Sequence, residues 1–145
     1  LWLAGAEAMT TATPMTMPKA NSGIILFAHG SRDPQWRLPI EAVARSIERE
    51  QPGLAVTCAY LELCQPSLPD VLADWSTNGV TDISVVPMFL GAGRHAREDL
   101  PSITEALRLQ YPAITIRLQT PIGEDARMTE LMAQIAVSSA LQPAQ

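Results

Sequence analysis

From residue 23 onward the sequence alternates short, unbroken apolar runs with longer segments of helical periodicity, and this alternation is what most narrows the fold. The first run, Gly23-Ile24-Ile25-Leu26-Phe27-Ala28, has no polar face, as a strand covered on both sides requires. Residues 38–51 then place Leu38, Val43, Ala44 and Ile47 on one helical face and Glu41, Arg45, Glu48 and Arg49 mostly on the other, and Pro52-Gly53 stops them. Residues 54–61 form a second strand. Ser67-Leu68-Pro69-Asp70 has the pattern of a capping box and opens a helix to about residue 76, which Asn78-Gly79 ends. A third strand over 82–90 contains Pro87, which has to lie where a ladder donor is dispensable. A helix near 97–110, a strand over 113–119 and a helix over 125–138 complete the series.

Four strands alternating with four helices predict a three-layer α/β domain with a four-stranded, mainly parallel sheet flanked by helices, because crossovers of this length return each strand parallel to its predecessor. A chain of 145 residues has room for one such domain, over 23–140. Residues 1–22 are rich in Thr, Ala, Met and Pro without persistent periodicity and read as a flexible leader; they lack the basic region that opens a secretory signal. Residues 141–145 read as a frayed tail.

Charge and composition exclude several functions. A formal charge of −5, with nine Arg and one Lys (Lys19), argues against broad nucleic-acid or anionic-membrane binding, which needs a basic footprint. No stretch approaches the roughly 20 apolar residues that span a bilayer. Cys58 and Cys64 fit neither a disulfide framework nor a CxxC metal knuckle, and Cys58 falls within a strand, which points to a reducing cytoplasm. A GxxxxGK[ST] phosphate loop occurs nowhere, which favours chemistry independent of ATP.

In open parallel sheets ligands bind beyond the carboxyl ends of the strands, so the loops that follow strands carry most functional weight. These are His29-Gly30-Ser31-Arg32-Asp33-Pro34, Glu62-Leu63-Cys64-Gln65-Pro66, Gly91-Ala92-Gly93-Arg94-His95-Ala96-Arg97 and Thr120-Pro121-Ile122-Gly123. Both histidines of the chain fall there, 66 positions apart, and the expected core has none. Each candidate also has a plain structural reading. A histidine at a strand end orders its loop, Glu62 caps or solvates one, Arg32, Arg94 and Arg97 are surface charge, Cys64 is structural, and Met88 and Phe89 belong to the core. The functional reading joins two neutral imidazoles and a carboxylate into a site for a divalent transition metal that leaves coordination positions free for exchange. Glu62, directly after an apolar strand, suits a carboxylate made more basic by partial desolvation. The three arginines suit a polycarboxylate or phosphate ligand, which guanidinium pairs in bidentate fashion, and Trp36 suits a flat aromatic one.

Three segments together resemble a known family: Phe27-Ala28-His29-Gly30-Ser31-Arg32; Ala59-Tyr60-Leu61-Glu62-Leu63 with Pro66-Ser67-Leu68; and Val86-Pro87-Met88-Phe89-Leu90-Gly91-Ala92-Gly93-Arg94-His95 followed by Asp99-Leu100-Pro101. Their order and placement are similar to the class II chelatases of tetrapyrrole biosynthesis, in the short sirohydrochlorin cobaltochelatase/ferrochelatase form called CbiX or SirB. The resemblance implies a chelatase-like half domain that works as a homodimer and inserts a divalent metal, cobalt or iron with nickel also admissible, into sirohydrochlorin in cobalamin or siroheme biosynthesis. No organic cofactor is implied. By position, His29 and His95 match the family's metal-site histidines and Glu62 an acidic residue that assists there. Ser31, Arg32, Gly91, Gly93, Arg94 and Arg97 are then the expected substrate-binding groups, the arginines facing the carboxylates of the tetrapyrrole. The Ala92-Gly93-Arg94 stretch is less uniformly glycine-like than in many members. Two other readings use the same residues: a non-catalytic metal or tetrapyrrole carrier, and a phosphate-ligand enzyme with Ser31 as nucleophile, which lacks an evident Ser-His-Asp order.

Overall fold

The computed structural model describes residues 21–143. Its strands are β1 (Ser22–Ala28), β2 (Ala55–Tyr60), β3 (Asp82–Pro87) and β4 (Thr115–Leu118); its helices are α1 (Leu38–Glu50), α2 (Leu68–Thr77), α3 (Arg94–Gln110) and α4 (Ala126–Ala140). Short 3-10 turns precede α1 (Pro34–Arg37) and α4 (Ile122–Glu124). The sheet runs β2-β1-β3-β4 and every neighbouring pair is parallel. This is the expected α/β architecture with four strands and four helices.

The apolar run of β1 has no polar face because its residues alternate between two cores. Ile25 and Phe27 join Ile83, Val85 and Ile116 beneath Leu72 and Trp75 of α2 and Leu100 and Leu107 of α3. Leu26 and Ala28 face the other way, against Ile40 and Ala44 of α1, with Tyr60 closing that cluster. Gly23 lets Trp75 close over the start of β1: a Cβ there would stand 2.3 Å from the indole.

Local signals explain the boundaries. Ser67 and Asp70 form the capping box reciprocally, the Asp70 N–H donating to Ser67 Oγ at 3.2 Å and the Ser67 N–H to Asp70 Oδ2 at 3.1 Å. Pro87 ends β3, paired with Phe27 and beyond the last β3–β4 pair, Val85 with Leu118. At that position the missing N–H breaks no ladder. Residues 88–90, expected in the strand, leave the sheet once Met88 N–H has bonded Phe27 O at 2.7 Å. Strands β2 and β4 are shorter than expected, and α1 ends one residue earlier.

Two differences bear on function. Helix α3 begins at Arg94 rather than near 97, because Gly93, in extended conformation, accepts the Arg97 N–H at 3.0 Å and starts the helix. Strand β1 begins at Ser22 rather than 23, and Asn21 accepts from Thr81 N–H at 2.9 Å, so 21 and 22 belong to the domain rather than to the leader. The leader over 1–20 and residues 144–145 of the tail lie outside the described residues.

Helix α4 buries none of its residues, and Leu131, Ile135 and Val137 stand 48%, 61% and 59% exposed. Charge in this helix is confined to Arg127 and Glu130. No helix among the described residues is long and apolar enough to cross a membrane.

Candidate active site

The parallel ladder between β1 and β2 continues past both strand ends. Leu61 N–H donates to Ala28 O at 2.9 Å and Glu62 N–H to His29 O at 3.0 Å, which sets the two site residues side by side. Their side chains meet: His29 Nε2 lies 2.9 Å from Glu62 Oε1. With the Nε2 proton in place the imidazole donates to the carboxylate and Nδ1 carries the free lone pair; a fully protonated ring makes the contact an ion pair. Gly30 makes the approach possible. Its φ is +107°, and a Cβ would stand 1.8 Å from the Glu62 carbonyl oxygen, so both the backbone conformation and the space require glycine.

The 61–66 loop is closed by Tyr60 N–H donating to Pro66 O at 2.9 Å, with the Gln65-Pro66 peptide cis. Glu62 was expected to be partly desolvated; its side chain is 55% exposed and that of His29 53%. The residue stands past the strand end, where the sheet no longer covers it. Cys64 packs with the Tyr60 cluster, which gives it a structural place. Cys58 donates its S–H to Ile40 O at 3.8 Å, and burial pushes its thiol pKa up. Trp36 tilts against Tyr60 with ring centres 6.2 Å apart and remains 42% exposed.

In the loop after β1, Ser31 Oγ accepts from Asp33 N–H at 3.1 Å and Asp33 caps the following 3-10 turn, so the Ser31 hydroxyl orders its own loop. Arg32 is exposed beside it. In the loop after β3, Phe89 meets Phe27 edge to face with ring centres 6.3 Å apart, and Gly91 and Gly93 are exposed. The early start of α3 moves Arg94 and His95 out of the loop and onto its first turn, where both are exposed. Arg94 Nε donates to Glu98 Oε1 at 3.1 Å across one helical turn, a pairing available to any surface helix. Arg97 borders a small cavity of about 160 Å³ walled by Phe89, Ala92, Leu100 and Pro121.

The structure thus brings His29 and Glu62 into contact and places His95 on a separate element, bonded to neither. Among the described residues no group of three or more His, Cys, Asp or Glu is close enough to hold a metal ion. All three nevertheless crown the carboxyl end of the sheet. Glu62 and His29 directly follow β2 and β1, and His95 lies on the first turn of α3 after β3, so the three segments that carry them leave neighbouring strands in a row. Imidazole nitrogen and carboxylate oxygen are both ligands that cobalt and iron accept. One contributor went unnoticed in the sequence beyond its place at a strand end: Gly123, whose N–H donates to Phe89 O at 2.9 Å and ties the turn after β4 to the loop after β3. Such a contact between distant segments leaves no local pattern.

Comparison with known proteins bears on the fold and the family. The CbiX family model matches residues 23–138. A sirohydrochlorin cobaltochelatase of Methanococcoides burtonii is 36% identical over 123 residues, covering 79% of this chain and 94% of that protein. The chloroplastic sirohydrochlorin ferrochelatase of Arabidopsis thaliana is 31% identical over 101 residues, which is 70% of this chain but 45% of that longer protein. Among solved structures, a cobalamin (vitamin B12) biosynthesis CbiX protein of Marinobacter aquaeolei superposes with a TM-score of 0.73 at 35% identity, over 84% of this chain and 99% of that one. The sirohydrochlorin chelatase SirB of Bacillus subtilis, solved in complex with cobalt, superposes with a TM-score of 0.68 at 25% identity, over 81% of this chain and 50% of its own. This chain, a parallel four-stranded domain matched over residues 23–138 by that family model, belongs to the CbiX family.

Proposed function

We propose that this chain catalyses the ATP-independent insertion of a divalent metal, cobalt or iron, into sirohydrochlorin on the route to cobalamin or siroheme. The observation that carries the reading is the 2.9 Å pairing of His29 with Glu62 past the ends of β1 and β2, with His95 on the first turn of the helix that follows the adjoining strand. Insertion requires two inner N–H protons to leave the macrocycle as the ion sheds water and binds the four nitrogens. His29 and His95 replace part of the water shell and hold the ion over one face of the ring, so that encounter and orientation are settled before reaction. Glu62 accepts protons directly or through His29, with which it shares a hydrogen bond. Arg32, in the loop after β1, and Arg94 and Arg97, on the first turn of α3, supply cations suited to the substrate's carboxylates, and Ser31, Gly91 and Gly93 offer polar groups and close backbone approach.

A homodimer is part of the same reading. Its support is α4, a 15-residue helix with an apolar surface and no buried residue in the single chain, since a helix of that composition is ordinarily covered. The testing experiment follows the spectral change of sirohydrochlorin with cobalt(II) or iron(II). Acceleration over many turnovers is expected, with most of the rate lost in His29→Ala and in His95→Ala. Arrest after one equivalent would instead indicate a carrier, and unchanged rates in both variants would refute the site assignment.

A further inference from the structure

Each of the two segments that carry the site is pressed by a glycine from a neighbouring loop. Gly30 is pressed against Glu62 in this way, as described above. Gly123, in the turn between β4 and α4, stands in the same relation to the loop after β3. A Cβ on Gly123 would lie 2.2 Å from the carbonyl oxygen of Leu90, 2.4 Å from its Cα and 2.6 Å from its carbonyl carbon. All three atoms are main chain, so no rotamer change makes room and one of the two segments has to move. The glycines inside the loop differ: at Gly91 and Gly93 a Cβ would meet nothing within 4 Å. The close-packed glycine of this loop therefore lies outside it, more than 25 residues further along the chain.

The turn that carries Gly123 is itself held. Glu124 N–H donates to Pro121 O at 3.0 Å, Asp125 N–H to Ile122 O at 3.2 Å, and Gly123 N–H to Phe89 O at 2.9 Å. On the other side of His95, Ala96 and Leu100 are buried at 9% and 4% exposure and fix the body of α3. His95, exposed on the first turn, is thus suspended between two fixed points: the Phe89-Leu90 backbone clamped by Gly123, and the buried face of α3. Among the described residues its side chain makes no hydrogen bond that would hold it from outside the helix, so the backbone clamp sets its lead-in. Site chemistry is sensitive to shifts of about 1 Å, and a Cβ at position 123 demands a displacement of that order.

We propose that Gly123 is a positioning residue for His95, doing for the loop after β3 what Gly30 does for Glu62. The proposal rests on the reading of His95 as a residue that holds the incoming metal, and its test separates the two. Cobalt(II) alone is titrated calorimetrically into the full chain, without tetrapyrrole, and thermal stability is recorded for each variant. Gly123→Ala is expected to weaken cobalt(II) binding by about tenfold or more, toward the level of His95→Ala, as loss of a supporting contact does at metal sites. Gly23→Ala, which collides with Trp75 in the core, is expected to lower thermal stability while leaving cobalt(II) affinity unchanged, so that destabilisation alone does not mimic the effect. Pro121→Gly loosens the same turn without a clash and is expected to weaken binding in the same direction; it decides the matter should Gly123→Ala not fold. Wild-type cobalt(II) affinity in both turn variants, alongside lost affinity in His95→Ala, would overturn the positioning role. Wild-type affinity in His95→Ala would overturn the reading beneath it.

Discussion

His29 Nε2 and Glu62 Oε1 lie 2.9 Å apart although 33 positions separate the residues, and the pair is more than half exposed to solvent. Exposed pairs of this kind contribute about 0–1 kcal/mol to stability. A contact worth so little to the fold is free to be used by chemistry. His29→Ala and Glu62→Ala are each expected to change unfolding free energy by less than about 1 kcal/mol, read by urea denaturation. Insertion turnover should fall by about 100-fold or more, the usual scale for removing a positioned proton acceptor.

Gly30→Ala makes the opposite prediction for stability. Positive φ and the collision with Glu62 act together, and the backbone term alone is about 1–3 kcal/mol. The expected outcome is a lowered denaturation midpoint accompanied by lost turnover, since the strap that breaks is the one joining His29 to Glu62.

Leu72 is fully buried between α2 and the sheet, away from the row of site residues. Leu72→Ala should cost about 2–5 kcal/mol, while the fraction that remains folded keeps its cobalt(II) affinity. A matched loss of affinity would mean that the site is not independent of this core.

Asp125 caps α4 and is locked to Arg127, with Arg127 Nη2 to Asp125 Oδ2 at 2.7 Å and Arg127 N–H to Asp125 Oδ1 at 2.8 Å. The Arg127 side-chain hydrogen bonds, chiefly, hold its carboxyl at about 2, well below the ordinary value. Because the folded value is depressed, the cap's contribution is complete above the unfolded carboxylate range and is lost as pH falls toward 2. Amide resonances of residues 126–129 should show fraying on acidification in that window, and Asp125→Asn should show less pH dependence there.

Ile135→Glu places a charge on the apolar surface of α4 without entering the core of the single chain, since Ile135 is 61% exposed. Sedimentation is expected to report a shift from dimer to monomer at unchanged secondary structure. A monomer in the unsubstituted protein would remove the basis for the dimer.

Much of this was legible in the residues because it depends on local pattern. The run from Gly23 to Ala28 and the capping box at Ser67 and Asp70 each act over a few positions, and each lies where expected; Pro87, expected inside a strand reaching 90, instead ends it. The start of α3 was misread because Gly91 and Gly93 mark a loop by composition, whereas the backbone at Gly93 already supplies the helix's first carbonyl. Glu62 was expected in a partly desolvated place because its neighbours are apolar; exposure past a strand end depends on how the next loop folds, which Pro66 and Tyr60 decide from a distance. The clamps made by Gly30 and Gly123 are contacts between segments, and only the packed chain displays them.

The order β2-β1-β3-β4 has one further consequence. The chain winds outward from β1 in one direction, through α1 to β2, then vaults back across β1 through α2 and winds the other way through α3. Helices therefore part company at the carboxyl ends of β1 and β3, one departing over each face of the sheet. In open α/β sheets ligands settle beside such a reversal of winding. His29 directly follows β1, and His95 lies on the first turn of the helix that follows β3. The topology, rather than any local motif, is what brings the two histidines of a 145-residue chain to the same end of the sheet.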